Sequence, residues 1–225
     1  MAVKNYIWDF DGMLFDTYPH TLACFVEIYR RKGRIIDPDE AYRLFKITMW
    51  DAFDFYGTDE TTKREFYELE NDISFPPEGK PYPLIPEILR FISEHGGRNF
   101  LYTHRDRVAL LYLEKHGLDK YFTDFVTSEL NFPLKPAPDA VKYLLDKYSL
   151  LPEETMMLGD RAIDAGSGLN AGTYACVFDE DGTIPDAPCT LYVRTTREIF
   201  DFVKKNLEET DGCEDNKSTV TGSAR

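Results

Sequence analysis

Asp9 and Asp11 stand two residues apart, directly after the short apolar run 5–8, and Gly12 follows them. Further along come Thr103 after Leu101-Tyr102, Lys135 before Pro136, Asp160 after Gly159, and Asp164 four residues beyond Asp160. Carboxylates are oxygen ligands for a hard divalent cation, and a carboxyl beside them can move a proton. A hydroxyl and an ammonium can donate to oxygens on which negative charge develops. Together these side chains could hold a magnesium ion and a phosphoryl group between them, which is the outline of a phosphate-transfer site.

The D-x-D pattern is weak by itself, because it occurs three times, at Asp9/Asp11, Asp37/Asp39 and Asp179/Asp181. Asp37, with Pro38 behind it and Glu40 three residues on, reads as a helix cap. Asp179-Glu180-Asp181-Gly182 follows a strand candidate and is the serious decoy. After it, however, no strand ends in Ser or Thr, and neither a lysine nor a Gly-Asp pair completes the order. Only the N-terminal copy has the remaining machinery downstream.

Those residues need elements to position them. An aromatic, β-branched strand fits 5–8. Leu22, Phe25, Ile28 and Tyr29 repeat at helical spacing from Pro19 to Gly33, and further helices fit 38–47, 49–56 and 60–71. Residues 75–83 contain four prolines and a glycine, which is hinge chemistry. Beyond them helices at 86–95, 106–116, 138–148, 162–171 and 196–206 alternate with strands at 98–102, 124–127, 155–158, 173–178 and 190–193. Such alternation means right-handed crossovers and a parallel sheet covered on both faces, with the site outside the carboxyl ends of the strands. The expected fold is therefore α/β: a Rossmann-like parallel sheet core, 1–16 and 81–206, with a small all-helical cap, 17–80, inserted after the first strand. Residues 207–225 lack an apolar period and are expected to be a solvated tail.

The chain has 225 residues, 43% hydrophobic, enough for a sizeable core. Its formal charge of −14 and the absence of a Lys/Arg run argue against nucleic acid or an anionic membrane as partner. Four scattered cysteines form no zinc pattern and read as reduced, and no signal core or membrane span stands out, so the expected setting is cytoplasmic. An acidic protein acting on an anionic substrate needs a cation to offset repulsion, which again directs attention to the carboxylates.

Asp9-Phe10-Asp11-Gly12-Met13-Leu14-Phe15-Asp16, Leu101-Tyr102-Thr103, Lys135-Pro136 and Gly159-Asp160-Arg161-Ala162-Ile163-Asp164, taken jointly, resemble the haloacid dehalogenase superfamily. The resemblance spans residues 5 to about 205 and is to the phosphatase branch with a helical cap after the first motif, phosphoglycolate phosphatase-like or β-phosphoglucomutase-like. It implies a magnesium-dependent phosphohydrolase acting on a small phosphorylated metabolite. Asp9 is then the nucleophile that forms an aspartyl-phosphate, and Asp11 the acid and base. Asp9, Asp160 and Asp11 through its main-chain carbonyl hold magnesium, and Asp164 binds the ion through water or orients Lys135. Thr103 and Lys135 donate to the phosphoryl oxygens.

His20, Lys46 and His104 are candidates for substrate contact, and Arg105 beside His104 has no assigned role. The family usually has threonine where Met13 stands, so a hydroxyl bracing the loop is missing. A dehalogenase is disfavoured because Asp11 is present. A phosphomutase, for which Lys46 and Arg43 among Trp50, Phe53 and Tyr56 could hold a bisphosphate, and a catalytically silent phosphate-binding protein are the alternatives. Oligomeric state is not legible in the sequence.

Overall fold

The computed structural model describes residues 2–214. Six strands, β1 (Asn5–Trp8), β4 (Arg98–Tyr102), β5 (Phe122–Val126), β6 (Thr155–Gly159), β7 (Tyr174–Phe178) and β8 (Leu191–Val193), form one sheet in the order β5-β4-β1-β6-β7-β8. Every pairing in it is parallel. All four residues of β1 are buried, as a central parallel strand covered on both faces requires.

Side chains along β1 alternate between two cores. Tyr6 and Trp8 face one with α5 (Ile85–Glu94), α6 (Val108–Lys115) and α9 (Thr196–Glu214). Ile7 faces the other with Phe100, Tyr102 and the inner side of α7 (Asp139–Tyr148). Helix α8 (Ala162–Asn170) packs on β6 and β7.

Between β1 and α5 the chain builds α1 (Tyr18–Arg31), α2 (Pro38–Phe45), α3 (Met49–Phe55) and α4 (Glu60–Glu70). They enclose a separate core centred on Phe25, whose ring meets those of Tyr29, Phe45, Phe53, Tyr56 and Phe66. Asp37, Thr48 and Asp59 cap α2, α3 and α4 by accepting from backbone N–H groups one turn in. The entry and exit of this helical unit pair with each other as a two-residue antiparallel ribbon, β2 (Phe15–Asp16) on β3 (Lys80–Pro81). The proline-rich hinge pattern hid β3. Proline is tolerated there because this strand has no second neighbour to receive an N–H.

The expected tail needs correction. Helix α9 continues to Glu214, and Leu207 is in the core with Ile199 and Val203, a four-residue apolar step that carries past 206. Residues 215–225 lie outside those described. Among the described residues, no helix is long and apolar enough to cross a membrane.

Candidate active site

The loop after β1 is shaped by its glycine. Asp9 N–H donates to Leu158 O at 2.8 Å, extending the strand pairing by one residue. Gly12 then adopts φ +77°, and a Cβ there would fall on the Asp160 carboxylate and the Tyr18 ring. Glycine is therefore required both for the backbone conformation and for the close approach of the two loops.

Lys135 reaches beneath Asp9. Its Nζ donates to Asp9 Oδ1 at 2.6 Å and to the Tyr102 carbonyl at 3.0 Å, and pairs with Asp164 Oδ1 at 2.8 Å. All three charged side chains are buried. The lysine's backbone N–H donates to His104 Nε2 at 3.0 Å, so His104 fixes the loop that carries Lys135. Asp164 also accepts from the Arg161 N–H at 3.0 Å, and the Arg161 guanidinium lies 3.6 Å from Asp164 and 3.8 Å from Asp160. Thr103, at the end of β4, is buried and accepts from the Arg105 N–H at 3.0 Å.

Asp11 sits in a different environment from Asp9. Its carboxylate accepts from Thr17 Oγ1 at 2.6 Å and from Arg105 at 2.9 Å, and the same guanidinium donates to Glu70 at the end of α4 at 3.0 Å. Burial alone would raise the Asp11 carboxyl, but Arg105 and the Thr17 hydroxyl outweigh it and hold the group below the usual carboxylate range. Asp9 moves the other way. Burial and the neighbouring Asp164 push it up to about 7 against the pull of Lys135 and Arg161. Asp164, buried but paired with Lys135 and Arg161, is held low. Burial, with the Lys135 and Arg161 charges added, lowers His104 to about 4, so its imidazole is neutral near pH 7 and can accept the Lys135 N–H.

One oxygen from each of Asp9, Asp160 and Asp164 lies within 4.8 Å of the others. Asp9 Oδ2 and Asp160 Oδ1 are buried without a hydrogen-bond partner among the described residues. Unpartnered buried carboxylate oxygens are costly, and an all-oxygen donor set matches a hard divalent cation, so the residues present fit magnesium. Above them a cavity of about 450 Å³ opens between sheet and helical unit, lined by Asp9, Asp11, Thr103, Lys135, Arg105 and Arg161 from the core.

The sequence profile of the haloacid dehalogenase-like hydrolases matches residues 6–178. The chain belongs to that family. A pyrophosphatase PpaX from Oceanobacillus iheyensis is 23% identical over 175 residues, 76% of this chain and 81% of the relative. A phosphoglycolate phosphatase from Vibrio parahaemolyticus is 32% identical over 92 residues, 40% of each chain. Among solved structures, a hydrolase from Streptococcus pneumoniae is 33% identical, covering 80% of this chain and 94% of its own, with a TM-score of 0.60. A haloacid dehalogenase-like hydrolase from Bacteroides fragilis shares the fold at a TM-score of 0.76 and 22% identity, covering 88% of this chain and 99% of its own. The chain is an enzyme, a phosphatase of the haloacid dehalogenase family.

In this haloacid dehalogenase-like fold Asp9, Thr103, Lys135, Asp160 and Asp164 meet at one end of the sheet. Asp11 joins them at the cavity, but its carboxylate is turned to Arg105 and Thr17 and is not among the converging oxygens. His104 lines the cavity while its Nε2 serves Lys135. His20 does not line it: both ring nitrogens lie 2.9 Å from backbone carbonyls, of Phe75 and Glu70, so the imidazole ties α1 to the end of the helical unit. Lys46 does not line it either, and instead pairs with Asp160 Oδ2 at 2.9 Å. Asp179 accepts from the N–H groups of Thr183 and Ile184 in its own turn, which explains the decoy D-x-D without chemistry.

Met13, expected to leave the loop unbraced, is fully buried in the core, and the hydroxyl on Asp11 comes from Thr17. Sequence reasoning missed the roles of Arg105, Arg161, Glu70 and Tyr18. Arg105 and Arg161 lie within two residues of Thr103 and Asp160, a signal that was available. Glu70 and Tyr18 carried none.

Proposed function

We propose that this phosphatase is a magnesium-dependent enzyme that hydrolyses a small phosphorylated metabolite through an aspartyl-phosphate on Asp9. The observation that carries the reading is the contrast between the two oxygens of Asp9: Lys135 holds Oδ1, while Oδ2 is buried without a hydrogen-bond partner among the described residues. A carboxylate so fixed is a positioned nucleophile. Its oxygen bonds to phosphorus as the bond from phosphorus to the ester oxygen breaks, and that oxygen leaves with a proton from Asp11, which takes up that proton only when its carboxyl turns from Arg105 and Thr17, the contacts that hold it ionised. Water then attacks phosphorus and gives its proton to Asp11 as the aspartyl bond breaks. The carboxylate of Asp11, held low by Arg105, is suited to the second, base step. Thr103 and Lys135 donate to the phosphoryl oxygens. Asp9, Asp160 and Asp164 would hold magnesium, whose charge offsets the repulsion between carboxylate and phosphate.

The cavity supports a small substrate of the phosphoglycolate or pyrophosphate type, as the names of the relatives suggest. Its cations, Arg105, Lys135 and Arg161, all come from the core, whereas the cap wall contributes Phe45, Met49, Trp50, Tyr67 and Glu70. A bisphosphate mutase needs cap cations for its second phosphate. Arg43 instead pairs with Glu40 at the surface and Lys46 with the buried Asp160, so neither stands free for a second phosphate and hydrolysis is favoured. The complete set of Asp9, Asp11, Thr103, Lys135 and Asp160 also speaks against a silent binding protein.

Phosphate release from phosphoglycolate, hexose phosphates, nucleotides and pyrophosphate, measured with magnesium, with chelator and with Asp9→Asn, tests the proposal. Magnesium-dependent release lost in the variant is expected. Release that survives either chelation or the substitution would sink the mechanism.

A further inference from the structure

Helix α2 sends two side chains, one helical turn apart, across to the core. Tyr42 OH donates to Asp181 Oδ2 at 2.7 Å, and Lys46, the residue just after the helix, donates to Asp160 Oδ2 at 2.9 Å. The Lys46 side chain is 10% exposed and that of Asp160 is fully buried. The same ammonium lies 4.7 Å from the centre of the Tyr18 ring, whose hydroxyl also donates to Asp160 Oδ2, at 2.7 Å. The two oxygens of Asp160 are thus divided. Oδ2 holds Lys46 and Tyr18, and Oδ1 is buried without a hydrogen-bond partner among the described residues.

Charge shows what this division does. Asp9, Asp160 and Asp164 bring three carboxyl groups to one point, and three cations answer them. Lys135 sits on Asp9 and Asp164, and Arg161 lies near Asp160 and Asp164. Both belong to the core, on the loops that build the site. Lys46 is the third, and it rides on the helical unit, joined to the core through the short β2–β3 ribbon. A divalent cation arriving at Oδ1 adds two positive charges beside that ammonium, and Lys46 is the one counter-charge of the three carried by the helical unit rather than by the core.

We infer that Lys46 is a latch borne by the cap: it holds the helical unit closed on Asp160 in the metal-free protein and competes with the divalent cation for that carboxylate, so that metal binding and cap opening are coupled. The inference rests on the reading of the three aspartates as a magnesium site. Coupling of this kind is reciprocal, so whatever loosens the latch tightens the hold on the cation. An incoming phosphoryl group brings negative charge back to the site and restores the attraction for Lys46, which returns the cap over the substrate. Lys46 is in this sense a positioning residue for the cap. Its contact with Asp160 replaces the substrate contact expected from its place in the helical segment.

The test is calorimetric magnesium binding without substrate, at fixed ionic strength, paired with the radius of gyration from small-angle scattering. Lys46→Met is expected to bind magnesium about tenfold more tightly than the wild type and to be expanded even without metal. Lys46→Arg, which keeps the charge, and Tyr18→Phe, which removes only a neutral donor from the same oxygen, are expected to stay within about threefold of wild type. Unchanged or weaker magnesium binding by Lys46→Met overturns the latch, as does a wild-type radius that does not grow when magnesium is added. Absence of magnesium binding in the wild type is a different result: it brings down the metal reading itself, and the latch with it. Lys46→Gln provides a second neutral variant should the methionine substitution perturb folding.

Discussion

The sheet core and the helical cap are both hydrophobic at their centres, yet they use their polar residues in opposite ways. In the core, charged side chains are buried at the strand ends and paired around oxygens of Asp9 and Asp160 left without a hydrogen-bond partner among the described residues. In the cap, the polar residues that matter locally are helix caps and surface pairs, such as Arg30 and Arg31 on Glu27 or Arg43 on Glu40. Such exposed pairs contribute little to stability. The cap's stability comes from aromatic packing around Phe25, and its chemistry from groups that cross to the core, among them Tyr18, Tyr42, Lys46 and Glu70. A core built around unsatisfied carboxylates spends stability on function, whereas a cap built around rings keeps its own stability and adds control.

The sharpest way to separate the regions is to remove the nucleophile. Asp9→Asn is expected to lower phosphate release by at least about 10⁴-fold while the fold persists, checked by turnover alongside circular dichroism. Truncating the hub of the cap should do the reverse to the cap's own integrity. Phe25→Ala is expected to cost about 3–5 kcal/mol of cap stability and to split unfolding into two transitions, since the sheet core does not contain that ring. A single denaturant transition with an unshifted midpoint would contradict the idea of two independent cores.

Removing Arg105 attacks the place where the regions meet. Arg105→Met frees Asp11 and Glu70 at once, and burial then dominates the Asp11 carboxyl, raising it. When hydrolysis of the aspartyl-phosphate limits turnover, Asp11 acts as the base, so the acid limb of the kcat profile should move to higher pH, with kcat down by roughly 10–100-fold. A profile that keeps its acid limb would show that Arg105 does not govern Asp11.

A smaller effect follows from Asp9 in the metal-free protein. Its folded pKa of about 7 lies above the unfolded value, so the folded state binds more protons between the two and stability falls as pH rises through that window. The chelated enzyme should therefore melt lower at pH 8 than at pH 6, and magnesium should raise the melting temperature more at the higher pH, measured by thermal denaturation. Asp11 and Asp164, held below their usual range, contribute in the opposite sense but lose their stabilisation only in acid, as the pH falls from the ordinary carboxylate range through their folded values. The smallest change is expected of Tyr42→Phe, which removes one exposed bond to Asp181 and should cost about 1 kcal/mol or less in unfolding by denaturant.

The local patterns carried much of this in the chain itself. Alternating strand and helix periods, the glycine after Asp11 and the order of Asp9, Thr103, Lys135 and Asp160 depend on neighbours in sequence, and they made the parallel sheet, the inserted helices and the carboxylate cluster legible. The C-terminal helix runs past its sequence signal because charged surface positions hide a four-residue apolar step ending at Leu207. Tertiary structure alone decided which oxygen of each aspartate is held and which is left open. It also decided that Met13 packs inward while Thr17 serves Asp11, that His20 ties backbone carbonyls, and that Lys46 meets Asp160 across 114 positions of chain. The physical reason is range. Periodicity and capping are set within a few residues, whereas the pairing of buried charges depends on which loops the sheet order brings to the same strand ends.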